Sequence, residues 1–206
     1  SSSAASDVYK RQDMSMLRVG DTYYMSSTTM HMSPGVPIMK SNDLVNWKLV
    51  NYAYDTLANI PTMNLDDGKN TYGRGSWASC LRYHEGVYYL STFAQTTGKT
   101  YFYTTKNLEK GPWKCTEFSP AYHDHSFFFD EDGHIYMIYG NGKLFLAELK
   151  PDLSGVKPGT ERVLIENASA PAGDNIMLGA EGSQLFKVNG KYCLLYTSPS
   201  PRDRSV

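Results

Sequence analysis

The sequence predicts an all-β chain made of repeated short antiparallel strands, and three observations carry that prediction. A strand, a tight turn containing glycine and a second strand opening on tyrosine recur around Gly20, Gly86, Gly133 and Gly190. A second landmark, Asp43-Leu44-Val45-Asn46-Trp47, returns in looser form as Asn107-Leu108-Glu109-Lys110-Gly111-Pro112-Trp113. Aromatic residues make up 13% of the chain, with sixteen Tyr, eight Phe and three Trp, and rings of this kind favour strands. The four turn glycines stand 66, 47 and 57 residues apart. Units of roughly 40 to 60 residues with a fixed Gly-aromatic motif are the mark of β-propeller blades. A β-sandwich would supply the short strands but would not repeat both landmarks.

The elements follow in order. Residues 14–19, 22–27, 36–41 and 47–51 make a first four-stranded sheet, whose outer hairpin carries Asn42 and Asp43 as self-bonding turn residues and Trp47 as anchor. An aperiodic loop, 53–74, follows. The second sheet takes 76–84, 87–94, 99–105 and 113–118, and the third takes 124–130, 134–140, 143–149 and 161–165. A fourth opens at Ala180 and runs to Tyr192. No helix is predicted. Residues 2–12 and 193–203 resemble in-frame translations of sequencing adapters. The chain is therefore divided into a non-native segment 1–12, a partial propeller 13–192 and a non-native segment 193–206.

A formal net charge of −1 with scattered Lys and Arg excludes a polyanion-binding surface, so no nucleic acid is expected as a partner. Cys80, Cys115 and Cys193 lack C-x-x-C spacing and leave one over, which suggests neither zinc nor a disulfide framework. No apolar run is long enough to span a bilayer, and the N-terminal tract lacks the apolar core of a signal peptide. Compartment and oligomeric state are left open.

Three carboxylates stand at or before the heads of innermost strands: Asp13, Asp124 and Glu181. In a propeller those strand starts face a common funnel, so acids far apart in sequence would meet. Glycosidic cleavage asks for such a group, one acid to protonate the leaving oxygen and one carboxylate to activate water or attack carbon. A third carboxylate would help its neighbour keep its proton. Acids within the turn itself, Asp130, Glu131 and Asp132, read as solvated turn residues. Of the histidines, none has metal-ligand spacing, and His123 and His125 are expected on the strand face opposite Asp124.

At these residues the sequence resembles glycoside hydrolase family 43, the five-bladed β-propeller β-xylosidases and α-L-arabinofuranosidases. About three and a half of the five blades would be present. Residues 13–24 look like the family's first-blade motif, which makes Asp13 the general base. Residues 75–79 resemble its W-A-P segment, placing Trp77 and Ala78 at the wall of the sugar subsite, with Ser79 where Pro is usual. Residues 123–130 resemble D-P-S-L-F-F-D, so Asp124 is the pKa modulator, with His125 where Pro is common and His123 beside the sugar. Residues 180–186 resemble the E-G-P segment, which makes Glu181 the general acid. Met30 takes the place of a subsite aromatic.

The resemblance implies inverting hydrolysis of β-1,4-xylosides or α-L-arabinofuranosides, with acid and base about 6.5 to 9.5 Å apart. It implies xylo-oligosaccharide or arabinoxylan as the partner. No cofactor is required and none of the named residues is a metal ligand, although a structural Ca²⁺ in the channel of the complete protein is compatible with it. Two other readings stay open. One is a carbohydrate-binding propeller without catalysis, in which Trp77 stacks on sugar and the acids only hydrogen-bond hydroxyls. The other is a retaining, fructan-cleaving propeller with Asp13 as nucleophile, whose W-M-N-D-P-N-G start is lacking here.

Overall fold

Residues 12–28, 30, 33–173 and 179–197 are described by a computed structural model. The chain divides into two compact units, one up to Ala121 and one from Tyr122. The first contains two four-stranded antiparallel sheets in simple meander order. One is β1 (Gln12–Val19), β2 (Thr22–Thr28), β3 (Gly35–Ser41) and β4 (Lys48–Tyr54). The other is β5 (Ser79–His84), β6 (Val87–Ala94), β7 (Lys99–Thr105) and β8 (Lys114–Phe118). The second unit holds β9 (Ser126–Phe129), β10 (Ile135–Asn141), β11 (Lys143–Leu149) and β12 (Arg162–Ile165), followed by the hairpin β13 (Glu181–Val188) and β14 (Lys191–Thr197). The described residues are thus all-β, in three four-stranded meander sheets and one two-stranded hairpin, the units expected of propeller blades.

The strands form where the glycine turns reverse the chain. Gly20, Gly86, Gly133 and Gly190 all have positive φ, the backbone that tight hairpins demand. The Asp43 carboxylate closes the outer hairpin of the first blade by accepting from Val45 N at 2.9 Å and Asn46 N at 2.7 Å. Those bonds hold it well below the usual carboxylate range. Five consecutive residues of β2, Tyr24 to Thr28, are buried, as are the last five of β6. Continuous burial rather than alternation means that both faces of these strands are covered.

In the first unit the two blades enclose a core that includes Val36, Ile38, Leu81, Leu90 and Tyr101. Polar ties cross between them: Leu81 N donates to Ser15 Oγ at 3.0 Å, and Asn51 Nδ2 donates to Leu108 O at 2.8 Å. Ile38 is wholly buried. Removing one methyl there, Ile38→Val, is expected to cost about 0.5 to 1.5 kcal/mol, read as a lower urea midpoint with an unchanged slope.

Several sequence expectations are corrected. A single helical turn, α1 (Pro61–Asn64), stands in the aperiodic loop, where Pro61 supplies helical φ at its first position. Short 3₁₀ turns occupy Asp66–Gly68 and Ala170–Ala172. The inner strand of the third blade begins at Ser126 rather than at Asp124, whose φ of 45° is incompatible with a strand. The second blade's inner strand likewise begins at Ser79, after the Trp77 segment. β14 continues past Tyr192 to Thr197, with Cys193 opposite Phe186 and Leu194 opposite Leu185. Leu194 and Tyr196 pack on buried Leu144, Ala168 and Ala180.

Asp130 is not a solvated turn acid. It is buried at 8% exposure, accepts from Tyr192 OH, and lies 3.4 Å from Lys187 Nζ, so it ties the third blade to the β13–β14 hairpin. The Tyr192 hydroxyl, followed by the Glu131 N–H and Lys187, outweighs burial and holds its carboxyl below the usual range. All three cysteines are free. No helix among the described residues is long and apolar enough to cross a membrane.

Candidate active site

Each unit assembles its own share of the predicted site residues. In the first, β1 is bulged between Gln12 and Ser15, and within that bulge Asp13 takes a φ of 50°. Gln12 pairs with Thr28, so Asp13 stands beside the end of β2. From that end the chain turns at Met30, whose N–H donates to Thr28 Oγ1 at 2.9 Å and whose carbonyl accepts from Gly75 N at 3.2 Å. Thr28 Oγ1 in turn donates to Ser76 O at 2.6 Å. Met30 is thereby bonded to the segment that carries Trp77 and Ala78.

Trp77 is anchored through its indole N–H, one edge contact and its backbone. Its indole N–H donates to Gly73 O at 3.2 Å, its backbone N–H to Phe93 O at 2.9 Å, and its ring meets Phe93 edge-on at 5.9 Å. Thr92 Oγ1 reaches the carbonyls of both Trp77 and Ala78, at 3.1 and 3.2 Å. Asp13, Met30, Trp77 and Ala78 therefore share one end of the first unit, and Trp77 keeps a half-buried aromatic face there.

The second unit draws its site from three places in the chain. His123 Nε2 lies 2.9 Å from Glu181 Oε2 and 3.9 Å from Asp124 Oδ2. The three side chains are half-buried, at 28%, 18% and 15% exposure, and one ligating atom of each falls within 4.8 Å of the others. Asn141 Nδ2 also donates to Glu181 Oε2. His123 does not lie opposite Asp124, as strand alternation would require. The left-handed residue breaks that alternation and turns His123 to the same side.

Local structure explains the placement. Tyr122 packs edge-on against Tyr139 of β10 at 4.5 Å, and His123 O accepts from Gly140 N at 3.1 Å. Across the same turn Gly142 N donates to Ala180 O at 2.9 Å, and Ala180 N donates to Ser169 Oγ at 2.8 Å. The β10–β11 turn is therefore bonded on one side to His123 and on the other to the residue before Glu181. Glycine is needed here: a Cβ on Gly140 would fall 2.1 Å from Lys143 O, and one on Gly179 would fall 2.0 Å from Asn141 Oδ1 and 2.7 Å from Gly142 N. Gly179→Ala is accordingly expected to displace Asn141 from Glu181, read as a shift of the Asn141 side-chain amide NMR signal with an unchanged circular dichroism spectrum.

A backbone motif unites the three predicted acids. β13 is bulged between Glu181 and Gln184, as β1 is between Gln12 and Ser15, and Gly182 has the left-handed φ that Asp13 has in β1. Asp124 repeats the conformation just ahead of β9. Asp13 and Asp124 hold the left-handed position themselves, and Glu181 stands one before it; eight other described non-glycine residues, Met30, Val36 and Glu85 among them, share that φ, so it marks a backbone turn and not the acids alone.

His125, beside Asp124, is buried at 3% exposure, with Nδ1 2.9 Å from Tyr122 O. A carbonyl can only accept, so the ring carries its proton on Nδ1. Burial, which outweighs that hydrogen bond and is joined by the neighbouring His123, pushes its pKa down to about 4, and it is neutral at pH 7.

His123, Asp124 and Glu181 do not make a calcium site. That ion takes six to eight oxygens, whereas this set includes a ring nitrogen, and Glu181 Oε2 already receives Asn141 Nδ2. A cleft of about 300 Å³ in the same unit, bordered by Asp130, Tyr136, Arg162, Leu185 and Tyr192, contains none of the three.

Sequence reasoning missed Asn141. Its Asn-Gly dipeptide marks a hairpin turn, but nothing in the sequence pairs that turn with residue 181, forty positions on.

Known proteins resemble this chain in sequence and in fold. The family model described as glycosyl hydrolases family 43 matches residues 8–200. A β-xylosidase of Formosa agariphila is 32% identical over 94% of this chain and 33% of its own length. A non-reducing end α-L-arabinofuranosidase of Bacteroides ovatus is 30% identical over 89% of this chain and 33% of its own. Among solved structures, a bifunctional GH43-CE protein of Bacteroides eggerthii is 96% identical, with a TM-score of 0.88 over 91% of this chain and 24% of that one. The chain thus spans about a third of the length of these curated relatives.

Proposed function

The chain belongs to glycosyl hydrolases family 43, and on that premise we propose that the full-length protein containing it removes terminal pentose residues from xylo-oligosaccharides or arabinoxylan by single displacement. The observation that carries the reading is Glu181, a half-buried carboxyl with Asp124 and His123 beside it and two nitrogens on one of its oxygens. A side chain so held is suited to deliver a proton in one direction.

In this reading Glu181 gives its proton to the glycosidic oxygen as the C1–O bond breaks and that bond's electron pair passes to the leaving oxygen. Asp13 takes a proton from the water that adds to C1 from the opposite face. Asp124, whose carboxylate lies within 4.8 Å of the acid, is placed to orient the sugar beside it. Trp77 offers an aromatic face on which a sugar ring can stack, and Met30, Ala78 and His123 border the sugar. The names of the two curated relatives, a β-xylosidase and an α-L-arabinofuranosidase, support a pentoside and leave two candidates.

The test is hydrolysis of aryl β-xyloside and aryl α-L-arabinofuranoside by the full-length protein, followed by proton NMR of the anomeric signal. The expected result is turnover of at least one, with the first-formed sugar inverted at C1. A retained anomer would overturn the single displacement. Sugar binding without turnover would replace the enzyme reading with a carbohydrate-binding propeller.

A further inference from the structure

Among the described residues, Glu181 is held through one carboxylate oxygen. Both hydrogen-bonding nitrogens, His123 Nε2 and Asn141 Nδ2, meet Oε2, and neither meets Oε1. The amide nitrogen can only donate, so Oε2 is already an acceptor. A proton on Oε2 would face those amide hydrogens and compete for the imidazole nitrogen.

We propose that His123 and Asn141 form a clamp on Oε2 that leaves Oε1 to carry the proton given to the leaving group, making both of them positioning residues for proton delivery. The inference rests on Glu181 being the general acid. In that arrangement His123 carries a hydrogen on Nε2 and donates it to Oε2. When the O–H bond of Oε1 breaks and the leaving oxygen gains that proton, the negative charge spreads over a carboxylate already receiving two N–H groups.

The clamp is preassembled. Gly140 N fixes the His123 carbonyl at 3.1 Å, and Gly142 N fixes the Ala180 carbonyl at 2.9 Å, so both arms and the acid are pinned by backbone bonds within one residue of each. Among the described residues, the titratable groups facing Glu181 are His123 and Asp124, from the loop before β9. The β10–β11 turn contributes the uncharged Asn141, and β14 contributes Thr197 Oγ1, which donates to Glu181 O at 2.9 Å. Lys143 on the same turn is paired with Glu166 at 2.8 Å.

A clamp that aims a proton matters in proportion to how much the leaving group needs one. The experiment compares His123→Ala and Asn141→Ala in the full-length protein on two aryl glycosides of the preferred sugar, phenyl and 2,4-dinitrophenyl. Asn141→Ala is expected to lose about tenfold to a hundredfold in kcat on the phenyl substrate and little on the dinitrophenyl substrate, with KM kept; His123→Ala, whose side chain also borders the sugar, is expected to raise KM on both substrates and to lose more in kcat on the phenyl one. His123→Gln, whose terminal amide can donate to Oε2, is expected to recover part of the loss. Equal losses on both substrates would make the residues merely structural and overturn the proposal. So would ¹⁵N spectra showing His123 protonated on Nδ1 with a bare Nε2. Glu181→Gln is run alongside: if it retains full activity on the phenyl substrate, the general-acid reading itself fails, a result separate from failure of the clamp.

Discussion

Glu181→Gln is expected to lower kcat on unactivated pentosides by about 10² to 10⁴ while leaving the fold intact. The surroundings of the side chain make this substitution unusually clean. Asn141 Nδ2 donates to Oε2 and His123 Nε2 lies 2.9 Å from it, so with His123 donating as proposed the glutamine amide has one orientation, its carbonyl toward His123 and Asn141 and its NH₂ where Oε1 was. That NH₂ keeps the volume and polarity of the site but cannot release a proton on the timescale of turnover. The loss should shrink as the leaving group improves, because an activated phenolate departs without a proton, and kcat should fall with little change in KM. Loss of the same size on phenyl and dinitrophenyl glycosides, or a lowered melting temperature, would show instead that Glu181 holds the site together.

Much of this architecture was legible because its signals are local. A glycine with positive φ between a strand and a tyrosine-rich strand is written in four consecutive residues, and it recurs at Gly20, Gly86, Gly133 and Gly190. The hairpin at Asp43 is likewise closed by partners two and three residues away. The acids could be picked out because each precedes such a hairpin by one strand. What surrounds them could not, since Asn141 meets Glu181 across forty residues and the Gly142 to Ala180 bond spans nearly as many. The misplaced histidine has the same kind of cause. Alternation puts His123 and Asp124 on opposite faces of a regular strand, and the φ of 45° at Asp124 ends the strand before the rule applies. Asp130 was misread because an acid in a turn is solvated only if nothing later in the chain covers it, and Lys187 and Tyr192 do.

Stability is expected to fall by on the order of 3 kcal/mol between about pH 6.5 and pH 4 through His125 alone. Its pKa is pushed down to about 4 in the fold from an ordinary value of 6.5. Between those values the unfolded chain binds a proton that the folded one refuses. The contribution is therefore fully present above pH 6.5, is lost as pH falls toward 4, and changes no further below that. Depressed carboxylates such as Asp130 and Glu148 act in a different window, since their contribution stays until pH falls into the ordinary carboxylate range and below. Urea unfolding at half-unit steps from pH 7.5 to 4 separates the two, and His125→Phe, which fills the same buried space without a titrating group, should flatten the upper part of the curve. A slope that survives this substitution would assign it to other groups. The position of His125 gives the effect a functional reading. It is bonded to Tyr122 O and is adjacent to Asp124, so protonating it works against the very loop that holds His123 and Asp124 in place. Acid should then inactivate the enzyme by loosening that loop before the chain as a whole unfolds, and hydrogen exchange at residues 122–126 should rise at a higher pH than exchange in the strands of the first unit.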